Sequence, residues 1–227
     1  MPLVEADTER LSEVRASFGT PVLYLQGGID GLQHIIELDL LPLVMAMLDE
    51  RDYGDVLIGG IEKVEIRIVD YDATWASQFQ EHATRIRAAL GDMTLRIEHI
   101  GSTSVPGLPS KPIIDIILVV ANCADEDAYL RLLEAVGYQL RVRETEHRML
   151  RTLSRDVHIH VYSSGSSEIE RLLAFRDRLR QDASERELYA QTKRELAARD
   201  WRDMNAYADA KTQVIERIIA RSGAAKA

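Results

Sequence analysis

The stretch Ile97–Val120, IEHIGSTSVPGLPSKPIIDIILVV, decides how this chain folds. Two β-branched runs, Ile97–Ile100 and Ile113–Val120, flank a loop holding Gly101, Ser102, Thr103, Ser104, Pro106, Gly107, Pro109, Lys111 and Pro112. Such runs, bounded by glycine and proline, predict two strands joined by a structured connection. The connection has the residues of a ligand loop. Glycine lets the backbone approach a ligand closely, and Ser and Thr hydroxyls with backbone N–H groups bind phosphate oxygens. Lys111 adds a positive charge. Asp115 stands near the start of the second apolar run, where an unpaired buried charge costs several kcal/mol. It belongs at the strand's open end or opposite a partner, and a metal ion, an arginine or a backbone group would each serve.

The histidine strand Val157–Tyr162 is the second informative stretch. With a period of two, His158, His160 and Tyr162 share one face, while Val157, Ile159 and Val161 share the other. Two histidines at i and i+2 can ligate one transition metal, with Asp115 and either His99 or Glu98 completing the set; imidazole favours Zn, Cu, Fe or Ni over Mg. A polar, partly solvated sheet face is the plainer alternative. Glu98 and His99 alternate faces, so at most one of them points into a pocket beside the loop.

The segment Glu98–Ile116, EHIGSTSVPGLPSKPIIDI, resembles the signature of GrpB-like proteins, which are grouped with the nucleotidyltransferase superfamily of the polymerase β type. Looser similarity continues from Val64 through Val69-Asp70-Tyr71-Asp72 with Trp75, Gly137-Tyr138, His158-Ile159-His160-Val161, and Phe175-Arg176-Asp177 with Leu179-Arg180. The resemblance implies an α+β fold: a nucleotidyltransferase-like mixed sheet with flanking helices and a C-terminal helical segment. It also implies metal-dependent transfer of a nucleotidyl group from a nucleoside triphosphate to an acceptor. The phosphates would lie at Gly101, Ser102, Thr103, Ser104, Lys111 and Arg176, and a divalent metal (Mg, Mn or Zn) on Asp115, His158 and His160. Either histidine would serve instead as the base that deprotonates the acceptor.

One departure from the superfamily pattern matters. A second acid is expected two residues after the first, on the same strand face, and Ile117 stands there. Two-metal transfer needs several carboxylates to hold ions about 3.5–4 Å apart. The alternative is therefore a non-catalytic module that binds a nucleotide or phosphorylated metabolite, linked to coenzyme A biosynthesis because family members occur appended to dephospho-coenzyme A kinases. The chain has no Gly-x-x-x-x-Gly-Lys-Ser/Thr sequence, so no P-loop kinase is expected.

Composition sets the outer limits. The 227 residues are 46% apolar, enough for one globular domain with a substantial core. A net charge of −9 disfavours sequence-independent nucleic-acid binding, which depends on neutralising phosphates. Cys123 is the only cysteine, which excludes an internal disulfide or a cysteine zinc cluster. The charged N-terminus lacks the apolar core of a signal peptide, and Ile35–Leu48 is too short and too charged to span a bilayer, so a cytoplasmic protein is expected.

Two domains are expected, an N-terminal extension over residues 1–60 and a GrpB-like domain over residues 61–222. The extension offers a helical candidate over Gly31–Asp49, kinked at Pro42, and no chemical motif. The domain starts with VEIRIV, Val64–Val69, in strand alternation. A helix follows over Thr74–Leu90, capped by Thr74 and ended by Gly91, and a second over Asp125–Val136. Tyr138–Arg143 and Arg148–Leu153 read as strands. Arg141, Arg143, Arg148, Arg151 and Arg155 face either a phosphate or a solvated surface with Glu144 and Glu146. Residues Ser167–Ala220 lack proline and glycine and read as two or three helices covering the sheet. Lys193 and Lys211 on them are possible substrate contacts, or plain solvated lysines.

Overall fold

A computed structural model of the chain describes residues 56–60, 66–201 and 204–221. The helix expected over Gly31–Asp49 lies outside the described residues, as do the first two residues of the expected Val64–Val69 strand. The rest of that strand does not form, and Val69 makes only an isolated bridge to Ser110.

Helix α1 covers Thr74–Leu90 and buries Trp75, Phe79, Ala83, Ile86 and Leu90, one stripe at helical spacing. Its start differs from the expected cap. Thr74 is inside the helix, and its amide donates to Asp72 Oδ1 at 2.8 Å, so the carboxylate two residues earlier satisfies the first turn. Strand β1 (Arg96–Ile100) leads into a 3₁₀ turn, Ser102–Ser104, and the loop then reaches β2 (Ile114–Val120). Helix α2 (Glu126–Ala135) is followed by β3 (Tyr138–Glu144), β4 (His147–Thr152) and β5 (Val157–Ser163). Four C-terminal helices follow among the described residues: α3 (Ser167–Gln181), α4 (Ala183–Ala197), α5 (Met204–Asp209) and α6 (Thr212–Arg221). The expected long helices are cut at Asp182, whose side chain accepts from the Ser184 and Glu185 amides at 2.9 and 3.1 Å and so starts a new helix.

The five strands run in the order β1-β2-β5-β4-β3, with β2 and β5 parallel and the other neighbours antiparallel. This is the mixed sheet of an α+β fold, as expected. Residues 56–58 pair with the outer edge of β3, where Ile58 N donates to Arg141 O at 2.9 Å and Arg143 N to Val56 O at 3.0 Å.

Register divides the sheet into two chemically different faces. Ile114, Ile116, Leu118 and Val120 point with Ile159 and Val161 toward α1 and α2 and form the main core. On the opposite face Ile100, Ile117, Val119 and Tyr162 pack beneath Ile169, Leu172 and Leu173 of α3. Asp115, His158 and His160 share that second face. A third cluster joins the loop to the C-terminal helices, with Val105 and Leu108, both fully buried, packed among Leu179, Tyr189, Ala190, Val214 and Ile218. Each buried aliphatic contributes about 1.5–3 kcal/mol, so the loop is anchored as firmly as an element of the core.

Candidate functional site

The site is built around one close approach. Gly101 ends β1 at φ 67° and ψ −175°, and a Cβ placed there would lie 3.0 Å from Cβ and Cγ of Asp115 and closer still to Oδ2. Only glycine lets the turn close over that carboxylate. The parallel register sets Asp115 beside His158 and Ile117 beside His160. His158 Nδ1 lies 3.5 Å and His160 Nε2 3.6 Å from Asp115 Oδ1. One ligating atom from each of the three residues falls within 4.8 Å of the others, the only such His, Cys, Asp or Glu group among the described residues. Burial penalises the Asp115 charge, but the imidazoles of His158 and His160 beside it outweigh that cost and hold the carboxyl well below the ordinary range. One carboxylate with two imidazoles is a donor set for Zn, Mn or Fe rather than for Mg.

Neither further ligand weighed from the sequence joins this group. Glu98 shares the Asp115 face but binds Arg176 Nη1 at 2.8 Å and Arg96 Nε at 3.1 Å. His99 faces the main core, stacked on Phe79 with ring centroids 4.7 Å apart. The Thr103 hydroxyl gives its one proton to Ile113 O at 2.9 Å, so its 3.1 Å contact with His99 Nε2 requires the imidazole to donate. Burial brings the His99 pKa down to about 4. A residue the sequence did not single out does join the cluster. His147 on β4 contacts His160 Nδ1 through Nε2 at 3.1 Å and Glu144 Oε2 through Nδ1 at 2.7 Å. Beyond it opens a cavity of about 550 Å³, lined partly by Glu144, Glu146, Tyr162 and Glu168.

The hydroxyl run divides by burial. Thr103 and Ser104 are buried and serve the loop itself, Ser104 Oγ donating to Gly101 O at 2.6 Å. The hydrogen bonds of the 3₁₀ turn are made by the amides of Ser104 and Val105, which leaves those of Ser102 and Thr103 as its leading donors. Ser102 is half-buried and hydrogen-bonds Tyr189. The Phe-Arg-Asp element of α3 reaches the loop from the side. Arg176 donates to His99 O at 3.0 Å, to Glu98 and to Asp177, and Arg180 forks onto Ser104 O at 2.8 and 3.0 Å.

Three lysines complete the arrangement. Lys111 and Lys211 lie 5.0 and 4.5 Å from the ring centroid of Tyr207, and Lys193 lies 4.9 Å from that of Tyr189 and donates to Pro109 O. Lys193 is 2% exposed. Burial, then the charges of Lys211, Arg194 and Lys111, bring its pKa down to about 7. Burial and Lys111, opposed by Asp115, bring Lys211 to about 8, and Lys111 is lowered by burial against the same carboxylate. The lysine spacing in the sequence resembled an ordinary solvated helix, because the folding that turns α4 and α6 toward the loop leaves no local mark.

The arginine cluster is structural at three positions. Arg143 and Arg148 both bind Glu126 of α2, an acid outside the pair expected from the sequence, and Arg141 donates to the carbonyls of Ile58 and Gly60. The β3–β4 register shifts between Leu140 and Val142, at Arg141. Arg151 pairs across the ladder with His158.

The GrpB protein family model matches residues 65–221. This chain belongs to the GrpB family. A UPF0157 protein of Streptomyces coelicolor is 52% identical over 170 residues, 75% of this chain and 91% of the relative. A UPF0157 protein of Halalkalibacterium halodurans is 46% identical over 180 residues, 77% of this chain and 92% of that protein. The crystal structure of the conserved protein GrpB from Enterococcus faecalis superposes with a TM-score of 0.62 at 32% identity, covering 69% of this chain and 96% of its own. No helix among the described residues is long and apolar enough to cross a membrane.

Proposed function

We propose that this GrpB protein binds a nucleoside triphosphate or a related phosphorylated metabolite at the Gly101–Ser104 turn, with a divalent metal on Asp115, His158 and His160, and transfers the nucleotidyl group to an acceptor. The observation that carries the reading is the convergence of Lys111, Lys193 and Lys211, drawn from the loop, helix α4 and the turn before α6, beside that group. Gathering buried ammonium groups is costly, and the depressed values of Lys193 and Lys211 express that cost. A polyphosphate chain is the partner that relieves it.

The roles follow from position. Gly101 keeps the turn against Asp115, while Ser102 and the leading amides of the turn meet phosphate oxygens. The three lysines neutralise the phosphate chain, and Thr103, Ser104, Arg176 and Arg180 act through the loop they hold. A metal on Asp115, His158 and His160 supplies Lewis acidity toward a phosphoryl oxygen. If one of the two imidazoles left the ion to Asp115 and the other, it would instead accept the acceptor's proton.

The test is calorimetric titration of metal-stripped protein with ATP, GTP, CTP and UTP, with and without Mn²⁺, Zn²⁺ or Mg²⁺, beside Asp115→Ala and with pyrophosphate release followed in parallel. Metal-dependent binding that Asp115→Ala abolishes is the expected result. Equal binding by the variant would refute the assignment of the metal.

A second reading keeps the site and drops the reaction. Ile117 is buried, 0% exposed, where a second metal-holding acid belongs. A dephospho-CoA kinase of Mycolicibacterium paratuberculosis is 37% identical over 81 residues, 34% of this chain and 20% of the kinase. These favour an accessory module near coenzyme A synthesis. Tight nucleotide binding with no pyrophosphate released would select it over the transferase.

A further inference from the structure

Strand β4 contributes a residue that makes no contact with Asp115 yet bears on how the site is set. His147 lies between Glu144 and His160, stacked on His160 with centroids 5.2 Å apart at 11°, and on Tyr162 at 4.9 Å and 22°. We infer that Glu144 and His147 together fix the tautomer and the aim of His160, making His147 a positioning residue for the Asp115–His158–His160 group.

The argument is one of donor counting. A carboxylate only accepts, so the 2.7 Å contact with Glu144 Oε2 places the proton of His147 on Nδ1. A neutral His147 then has a bare Nε2, and two ring nitrogens 3.1 Å apart bond only if the other donates. His160 therefore carries its proton on Nδ1. Its Nε2 is left with a lone pair facing the space shared with Asp115 Oδ1 and His158. That lone pair is the one a metal uses, and an imidazole held through its other nitrogen is the arrangement that raises ligand basicity. The stacking on two rings fixes the plane of His147, so the direction of its Nε2 is set as well as its protonation.

This inference rests on the metal reading above for its purpose, but it can fail separately. The experiment is nitrogen-detected histidine NMR on ¹⁵N-labelled protein, with and without Zn²⁺, together with Zn²⁺ titration by calorimetry. His147→Phe keeps a stacking ring and removes the acceptor; His147→Gln returns an oxygen near the position of Nε2. Expected is Nδ1–H on His160 in the natural protein. His147→Phe should move that proton to Nε2 and weaken Zn²⁺ by about 10–100-fold, and His147→Gln should restore both. Glu144, whose side chain is 47% exposed, provides a variant that removes the acceptor with little effect on packing: Glu144→Ala should shift the tautomer in the same direction. A proton on Nε2 of His160 in the natural protein overturns the inference whether or not metal binds, as does unchanged Zn²⁺ affinity in His147→Phe. Nδ1–H on His160 without any Zn²⁺ binding would instead overturn the metal reading and leave the positioning intact.

Discussion

Replacing Gly101 with alanine tests the close approach on which the site depends. The backbone there, φ 67° and ψ −175°, falls in a region essentially confined to glycine, where another residue costs about 1–3 kcal/mol. The new Cβ adds a collision, since it would stand 3.0 Å from Asp115 Cβ and Cγ with Oδ2 nearer. Asp115 cannot retreat freely, because its backbone is laddered between Ile100 on β1 and His158 on β5. Strain and collision together should cost about 2–4 kcal/mol, and at about 2–4 °C per kcal/mol for a domain of this size Tm should fall by about 5–15 °C. Restoring an ordinary carbon contact requires a displacement of about half an ångström, beyond the ±0.2 Å that metal–ligand distances tolerate. Zn²⁺ or Mn²⁺ binding should therefore weaken more than tenfold. Gly107→Ala is the control: it too has positive φ, 77°, but its Cβ would meet nothing within 4 Å. It should lose stability through the backbone alone and keep its metal affinity. A Gly101→Ala protein that melts with the natural one and binds metal as tightly would refute the reasoning.

Other outcomes follow from the lysines and the loop. The folded pKa of Lys193, about 7 against 10.5 for a free lysine, means the unfolded chain holds more protons between those values, so stability of the unliganded protein should rise as pH rises through that window. Polyphosphate binding should run the opposite way, weakening as Lys193 and Lys211 lose their protons between about 7 and 9, with proton uptake visible by titration in buffers of different ionisation enthalpy. Lys193→Met should flatten the stability slope and lower triphosphate affinity; an unchanged slope by denaturant melts across pH would count against the buried cluster. Thr103→Val leaves the His99 Nε2–H and the Ile113 carbonyl without their shared hydroxyl, and each unsatisfied buried group costs about 1–3 kcal/mol. Urea unfolding should show that loss, and a variant as stable as the natural protein would mean that the loop is not held through Thr103.

Much of the fold was legible locally. The α1 stripe, the two strands around the Gly-Ser turn and the alternation of the histidine strand are periodic patterns, and periodicity is set by neighbours in sequence. The pairing of Asp115 with the histidines was also within reach, since each lies on a face fixed by a period of two. Local rules misplaced the α1 cap, where Asp72 rather than Thr74 supplies the acceptor, and the strand expected at Val64–Val69, which has no extended partner strand among the described residues. They also counted two or three C-terminal helices where four form, because a cap at Asp182 competes with continued helix.

The sequence by itself determined the strand faces, the Gly-Ser turn between two strands, and the family to which the chain belongs. Only the tertiary structure decided which groups meet. His147 reaches His160 because β4 lies antiparallel beside β5, and Lys193 and Lys211 reach the loop because α4 and α6 pack on Val105 and Leu108. Those contacts join residues far apart in the chain, and their physical origin is the burial of apolar faces, which carries polar and charged side chains into positions that no local pattern encodes.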